Sequence, residues 1–291
     1  MFEPLIALLA GSPALLISMT LVLGLVVGSF LNVVSLRLPR MMERDWRLEA
    51  RQILDLPAVD EPRLSLTHPP STCPACQARI RPWHNLPVIG WCWLRGRAAC
   101  CGAPIALQYP AVELACGLLS AACAWHFGFG LPLVLALVLT WTLLVLAVID
   151  ARTTLLPDSL TLPLIWGGLL AALLGWSSVS LSDAVVGAMA AYMSLWSVYW
   201  AFKLITGKDG MGYGDFKLFA ALGAWLGWSQ LPLIILLASV VGAVVGIGLM
   251  MAKRAGRELQ LPFGPYLAAA GWIALLWGDA IALTYLQSVG L

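Results

Sequence analysis

A chain of 291 residues that is 60% hydrophobic and only 11% charged is no soluble domain, in which about a quarter of residues carry charge. The apolar residues run in long continuous blocks and do not alternate, so the spanning architecture is a helical bundle and a β-barrel is excluded. A net charge of +2 offers nothing to nucleic acid, because membrane topology and anionic lipid account for the basic residues.

About eight of the blocks approach the roughly 20 residues that cross a bilayer. The first runs from Leu5 to Leu36. With no basic segment ahead of it and no small-residue cleavage site behind it, it reads as a retained span over Pro13–Leu36, not as a signal peptide.

Next comes the one substantial polar stretch, Arg37 to Gln108. Its first part, Met41–Leu66, spaces its charges as a helix does and ends in a Pro-containing loop. Its second part carries Cys73-Pro74-Ala75-Cys76, then Cys92, Cys100 and Cys101. In a reducing cytoplasm these do not read as a disulfide framework. A Cys-x-x-Cys knuckle on a small loop-rich segment reads as half of a zinc site, with the metal supplying stability that so small a core lacks. Cys73, Cys76, Cys101 and Cys100 are the candidate ligands. Neighbouring cysteines point in different directions, which leaves Cys92, His68 and His84 as alternatives for the fourth position.

The remaining predicted spans are Tyr109–Phe127, Leu131–Ile149, Ser159–Leu174, Asp183–Phe202, Phe216–Trp228, Leu231–Met251 and Phe263–Leu286, the sixth of the eight being short and Gly-rich. Cys116 and Cys123, inside the second, read as apolar packing residues. The chain thus divides into a first span (1–36), a cytoplasmic insert (37–108) and a seven-helix membrane domain (109–291).

Charge sets the orientation. Ten of the 17 Lys and Arg fall between Arg37 and Arg97, and the others are Arg152, Lys203, Lys208, Lys217, Lys253, Arg254 and Arg257. With eight spans all of them share one side, which the positive-inside rule makes cytoplasmic, with both termini outside.

Two aspartates then stand out, because charge at the edge of a membrane span is expensive and marks function. Asp150 closes Trp141–Ile149, where the helix dipole disfavours an anion. Asp215 follows Met211-Gly212-Tyr213-Gly214, and both fall at the same membrane boundary. By itself Asp215 could be an N-cap, and Asp150 could end its helix in water beside Arg152. Asp158 reads as a turn or N-cap residue and Asp209 as an ordinary solvated turn. Gly212 and Gly214 leave the backbone bare where a substrate strand could approach. Two carboxylates brought together share a proton, the working part of an aspartyl protease. Lys217 is a candidate to orient the pair or meet a substrate, its alternative being to snorkel to the interface. Glu113, opening the second span, is a candidate for binding a substrate amine or assisting methyl transfer, or for pairing with an arginine.

The ordered motifs resemble those of the bacterial type IV prepilin peptidases. Gly28-Ser29-Phe30-Leu31-Asn32 with Arg37-Leu38-Pro39, Ser71-Thr72-Cys73-Pro74-Ala75-Cys76, Asn85-Leu86-Pro87, Leu94-Arg95-Gly96, Tyr109-Pro110-Ala111-Val112-Glu113, Leu156-Pro157-Asp158 and Met211-Gly212-Tyr213-Gly214-Asp215-Phe216-Lys217 follow the family's order over nearly the whole chain. Ala98 stands where the family has the first cysteine of its second pair, Cys100 is additional, and Gln108 replaces the arginine before Tyr-Pro.

The resemblance implies that Asp150 and Asp215 are a catalytic pair at the cytoplasmic face of a bacterial inner membrane. It implies prepilin or pseudopilin substrates with a short basic leader, cut after a glycine. The new N-terminus would then receive a methyl group from S-adenosylmethionine. Glu43, Asp45, Glu49, Asp55, Asp60 and Glu61 are possible acidic partners for the leader. The rival readings are a Mg²⁺-dependent membrane transferase acting on a lipid phosphate and a proton-coupled carrier.

Overall fold

A computed structural model describes residues 8–57, 64–251 and 261–289. Asp60, Glu61, Lys253, Arg254 and Arg257 lie outside the described residues. Among those described, the chain is helical, with no strand beyond two isolated bridges, Thr72–Arg79 and Arg97–Pro104. It forms two compact units, Met1–Leu133 and Val134–Leu291.

The first unit is built on α1 (Pro13–Ile53) and α3 (Gln108–Phe127), with the short α2 (Ile89–Trp93) between them. Pro13 opens α1 at a position where its missing N–H costs nothing. The helix then runs through Pro39 without stopping, so the first span and the charged part of the insert are one rod of 41 residues. At 1.5 Å per residue that is about 60 Å, roughly twice the thickness of a bilayer's hydrocarbon core. The loss of one hydrogen bond at Pro39 is outweighed by the helically spaced sequence that follows. Glu43, Asp45 and Glu49 are therefore carried on a rigid helix.

The two long helices meet through small residues. A Cβ on Gly24 would lie 2.8 Å from the Cα of Gly117, and one on Gly28 would lie 2.8 Å from the Cα of Glu113. This close approach is the small-residue packing that membrane helices use in place of a hydrophobic drive. Cys116 and Cys123 are fully buried, as expected of packing residues.

The second unit contains α4 (Leu131–Thr153), α5 (Asp158–Leu173), α6 (Leu181–Thr206), α7 (Tyr213–Leu226), α8 (Leu231–Met251) and α9 (Gly264–Val289). Its core centres on α7, where every residue from Phe216 to Trp225 except Lys217 is buried. A helix apolar on all sides must be surrounded, and α5, α6 and α9 pack on it. Gly187 and Gly223 bring the backbones of α6 and α7 together: a Cβ on either would collide with the other's carbonyl oxygen. Trp225 covers Gly168 and donates its indole N–H to the carbonyl of Leu164 at 2.8 Å. Trp272 of α9 donates to Thr140 Oγ1 of α4 at 3.2 Å.

Six helices among the described residues are long and apolar enough to cross a membrane. The chain is a multi-pass membrane protein. α5 and α7, with 16 and 14 residues, are shorter than the roughly 20 a full crossing needs. The expected eight spans depend on these two.

Candidate active site

Asp150 lies in the last turn of α4 and Asp215 in the first turn of α7, and they are only 4% and 7% exposed. Neither ends its segment in water. The α7 N-cap is Gly212, so Asp215 is not the cap but the third residue of the helix, its N–H directed to the Gly212 carbonyl at 3.2 Å. Each carboxyl group lies within electrostatic reach of the other.

Their surroundings differ. Asp150 Oδ2 accepts the backbone N–H of Gly264 at 2.9 Å. Gly264 is the first residue of α9, so this N–H is one of the donors that a helix start leaves unpaired, and the dipole favours an anion there. The site depends on the missing side chain, since a Cβ on Gly264 would lie 2.7 Å from Asp150 Oδ2. Asp215 Oδ1, by contrast, is buried without a hydrogen-bond partner among the described residues. A buried acceptor left unpaired costs about 1–3 kcal/mol and awaits a proton donor.

The residues around the pair have partners of their own. Lys217 has its own partner: its Nζ meets both oxygens of Asp158, at 2.6 and 2.7 Å. Asp158 is thus no N-cap, since Pro157 occupies that position, but an ion-pair partner in the first turn of α5. Gly212 is exposed and open, as expected of bare backbone. Gly214 is not bare: a Cβ there would press on the Cβ of Leu156 at 2.6 Å. Asp209 is more than a solvated turn, because it accepts the Tyr199 hydroxyl at 2.6 Å and pairs with Lys203 at 2.8 Å. Hydrogen bonds from Lys203 and Tyr199 hold its carboxyl below the usual carboxylate range. This link ties the loop before Gly212 to α6.

In the first unit Glu113 is 8% exposed and meets no arginine among the described residues. Its Oε2 accepts the backbone N–H of Val88 at 2.7 Å, and its side chain also bonds to Ser29. Val88 has φ +59°, costly for a β-branched residue, and Glu113 holds it there. Asn32 donates to the Tyr109 carbonyl at 2.9 Å, leaving its own Oδ1 buried and unpaired.

The sulfurs of Cys73, Cys76, Cys100 and Cys101 all lie within 4.8 Å of one another. Three of the separations are 3.7, 3.3 and 3.9 Å. A tetrahedron of thiolates with ~2.3 Å bonds to zinc has sulfurs about 3.8 Å apart, so the set fits that metal. Backbone hydrogen bonds at Cys76 and Ala75 pull the Cys73 thiol down to about 6, while the hydrogen bond with Cys76 pushes Cys100 up to about 12.

The two halves are matching turns. Cys73 N–H bonds to the Ala78 carbonyl and Gln77 N–H to that of Cys73; Ala98 N–H bonds to Ala103 and Gly102 N–H to Ala98 in the same pattern. Ala98 keeps the turn without supplying a sulfur. Cys100 points into the cluster instead, so both neighbouring cysteines take part, and Cys92, His68 and His84 do not.

Residues 22–127 match the bacterial peptidase A24 N-terminal domain, and residues 137–247 match the type IV leader peptidase family. A prepilin leader peptidase/N-methyltransferase of Stutzerimonas stutzeri is 56% identical over 282 residues, covering 96% of each chain. One of Aeromonas hydrophila is 55% identical over 286 residues, covering 98% of each. One of Pseudomonas aeruginosa is 54% identical over 288 residues, covering 99% of each.

The chain belongs to the type IV leader peptidase family. No solved structure matches it significantly. For a leader peptidase the buried pair offers what proteolysis needs, two carboxyl groups in a water-poor site with one oxygen unpaired. Charge at the span edges and the Cys-x-x-Cys knuckle brought Asp150, Asp215 and the cysteines to view, but not Gly264. Phe263-Gly264-Pro265 reads as a helix start. Nothing in its spacing says that its N–H faces a residue 114 positions away.

Proposed function

We propose that the chain is an aspartic endopeptidase that removes the short basic leader of type IV prepilins or pseudopilins at the cytoplasmic face of a bacterial inner membrane, and then N-methylates the new N-terminus. The observation that carries this reading is the buried Asp150–Asp215 pair with an unpaired Asp215 oxygen, in a chain so similar to named leader peptidases.

Two carboxyl groups within electrostatic reach of each other share one proton between them. The ionised member takes a proton from water as the water attacks the scissile carbonyl, and the protonated member donates to the carbonyl oxygen. The departing amine is then protonated by the pair. Gly264 fixes Asp150 from the α9 terminus, and the Lys217–Asp158 pair fixes the start of α5 against α7. Gly212 is the open backbone at which an extended substrate can lie. Lipid surrounds the spans, with the basic loops inward and both termini outward.

Cys73, Cys76, Cys100 and Cys101 hold a structural zinc that stabilises the insert of residues 37–108. S-adenosylmethionine supplies the methyl group. Neither a lipid-phosphate transferase nor a carrier is favoured by a chain of this family.

The test is Asp150→Asn and Asp215→Asn, each co-expressed with a prepilin. Both variants insert in the membrane and both leave the leader uncut. Cleavage surviving in either one removes that residue from the pair, and activity lost to EDTA but restored by Mg²⁺ would favour the transferase.

A further inference from the structure

The insert carries large apolar side chains that no described residue of its own unit covers. Trp83, Leu86, Ile89 and Trp93 are 50, 47, 63 and 69% exposed. Ile89 and Trp93 are four apart on α2 and share a side of that helix. Trp91, at a different angle on the same helix, is packed beneath Gly96 and donates to the Ile105 carbonyl at 3.2 Å. α2 therefore has an inner and an outer face, and the outer one is oily.

Two anchors set the depth of this face. Arg37, at the end of the first predicted span, donates to the carbonyls of Ser65, Leu66 and Pro69 at 3.0, 3.2 and 2.7 Å. Glu113, in the second turn of α3, holds the N–H of Val88 at 2.7 Å. Chain before the exposed residues, and at Val88 in their midst, is thus tied to the edges of two predicted membrane spans. That is the depth of the lipid head groups, where tryptophans collect.

Beside this face lies a cleft of about 490 Å³ lined by Ser71, Arg79, Arg81 and Asn85. Arg81 lies over the Trp83 ring at 5.7 Å, which joins the cleft to the apolar face. Among the described residues no carboxylate lines the cleft beside its two guanidinium groups. A phosphate is the planar fork's natural partner.

We propose that this surface is a docking site for an anionic phospholipid of the inner leaflet, with the phosphate between Arg79 and Arg81 and the acyl chains along Ile89 and Trp93. The site would hold the cysteine-bearing lobe down on the membrane instead of leaving it free in water. It rests on the chain's membrane character and not on the peptidase reading, so either can fail alone.

The test uses the full chain in nanodiscs of phosphatidylglycerol or of phosphatidylcholine. A benzophenone amino acid replaces Trp93, or Trp46 on the projecting part of α1 as a control. After irradiation, intact mass spectrometry reads the adducts. Position 93 should take lipid and position 46 should not. Phosphatidylglycerol should exceed phosphatidylcholine by at least about fivefold, since each arginine near a surface favours anionic lipid severalfold.

In the same assay Arg79→Gln with Arg81→Gln should abolish the preference while the metal content of the insert stays unchanged. Adducts to protein alone, no lipid at 93, or equal labelling by the two lipids would overturn the proposal. Lost metal in the double variant would mean a misfolded insert, and the wild-type lipid comparison then decides.

Discussion

Gly264 and Asp150 lie 114 residues apart and are joined by a backbone hydrogen bond of 2.9 Å. A helix start thus holds one member of the candidate dyad. Gly264→Ala would put a methyl group 2.7 Å from the carboxylate oxygen. A shift of about 1 Å can cost about a hundredfold in rate. Leader cleavage by this variant should fall by about that factor, with helical content and membrane insertion unchanged. Activity within about threefold of wild type would show that the contact does not position Asp150.

Asp158 and Lys217 form a partly exposed ion pair, and such pairs contribute up to about 1 kcal/mol. Lys217→Met should therefore lower cleavage modestly, by less than about tenfold. The exchange Asp158→Lys with Lys217→Asp should recover much of that loss. A single variant as inactive as Asp215→Asn, with no recovery on exchange, would mean that Lys217 meets the substrate or the pair directly.

The four-sulfur cluster predicts one zinc per chain by elemental analysis. Cys76→Ser and Cys100→Ser should each lose most of it, and Cys92→Ser should keep it. Ala98→Cys should not raise the stoichiometry, because Cys100 already supplies the fourth sulfur. Full metal content in Cys100→Ser would return the fourth position to another ligand.

Gly223 touches the backbone of Gly187, and a Cβ there has no room. Overpacking of a well-packed contact costs about 1–3 kcal/mol. Gly223→Ala should lower the thermal midpoint in detergent by several degrees. A midpoint equal to wild type would mean that α6 and α7 separate easily.

Membrane class, the positions of the long helices and the aspartate candidates were legible in the chain because each is a local property. Twenty apolar residues in a row, a charge at the end of such a run and a Cys-x-x-Cys turn all declare themselves within a short window. Helix α1 was harder, since a proline and a charged run conceal a rod that simply continues through both.

What only the tertiary structure decided is pairing. That Lys217 meets Asp158 and not the dyad, that Leu156 fills the space above Gly214, that Glu113 holds Val88 and that Gly264 holds Asp150 all depend on which helix faces compact packing brings together. A sequence states what each side chain can offer to a partner. Only the packed helices determine which partner is within 3 Å to accept it.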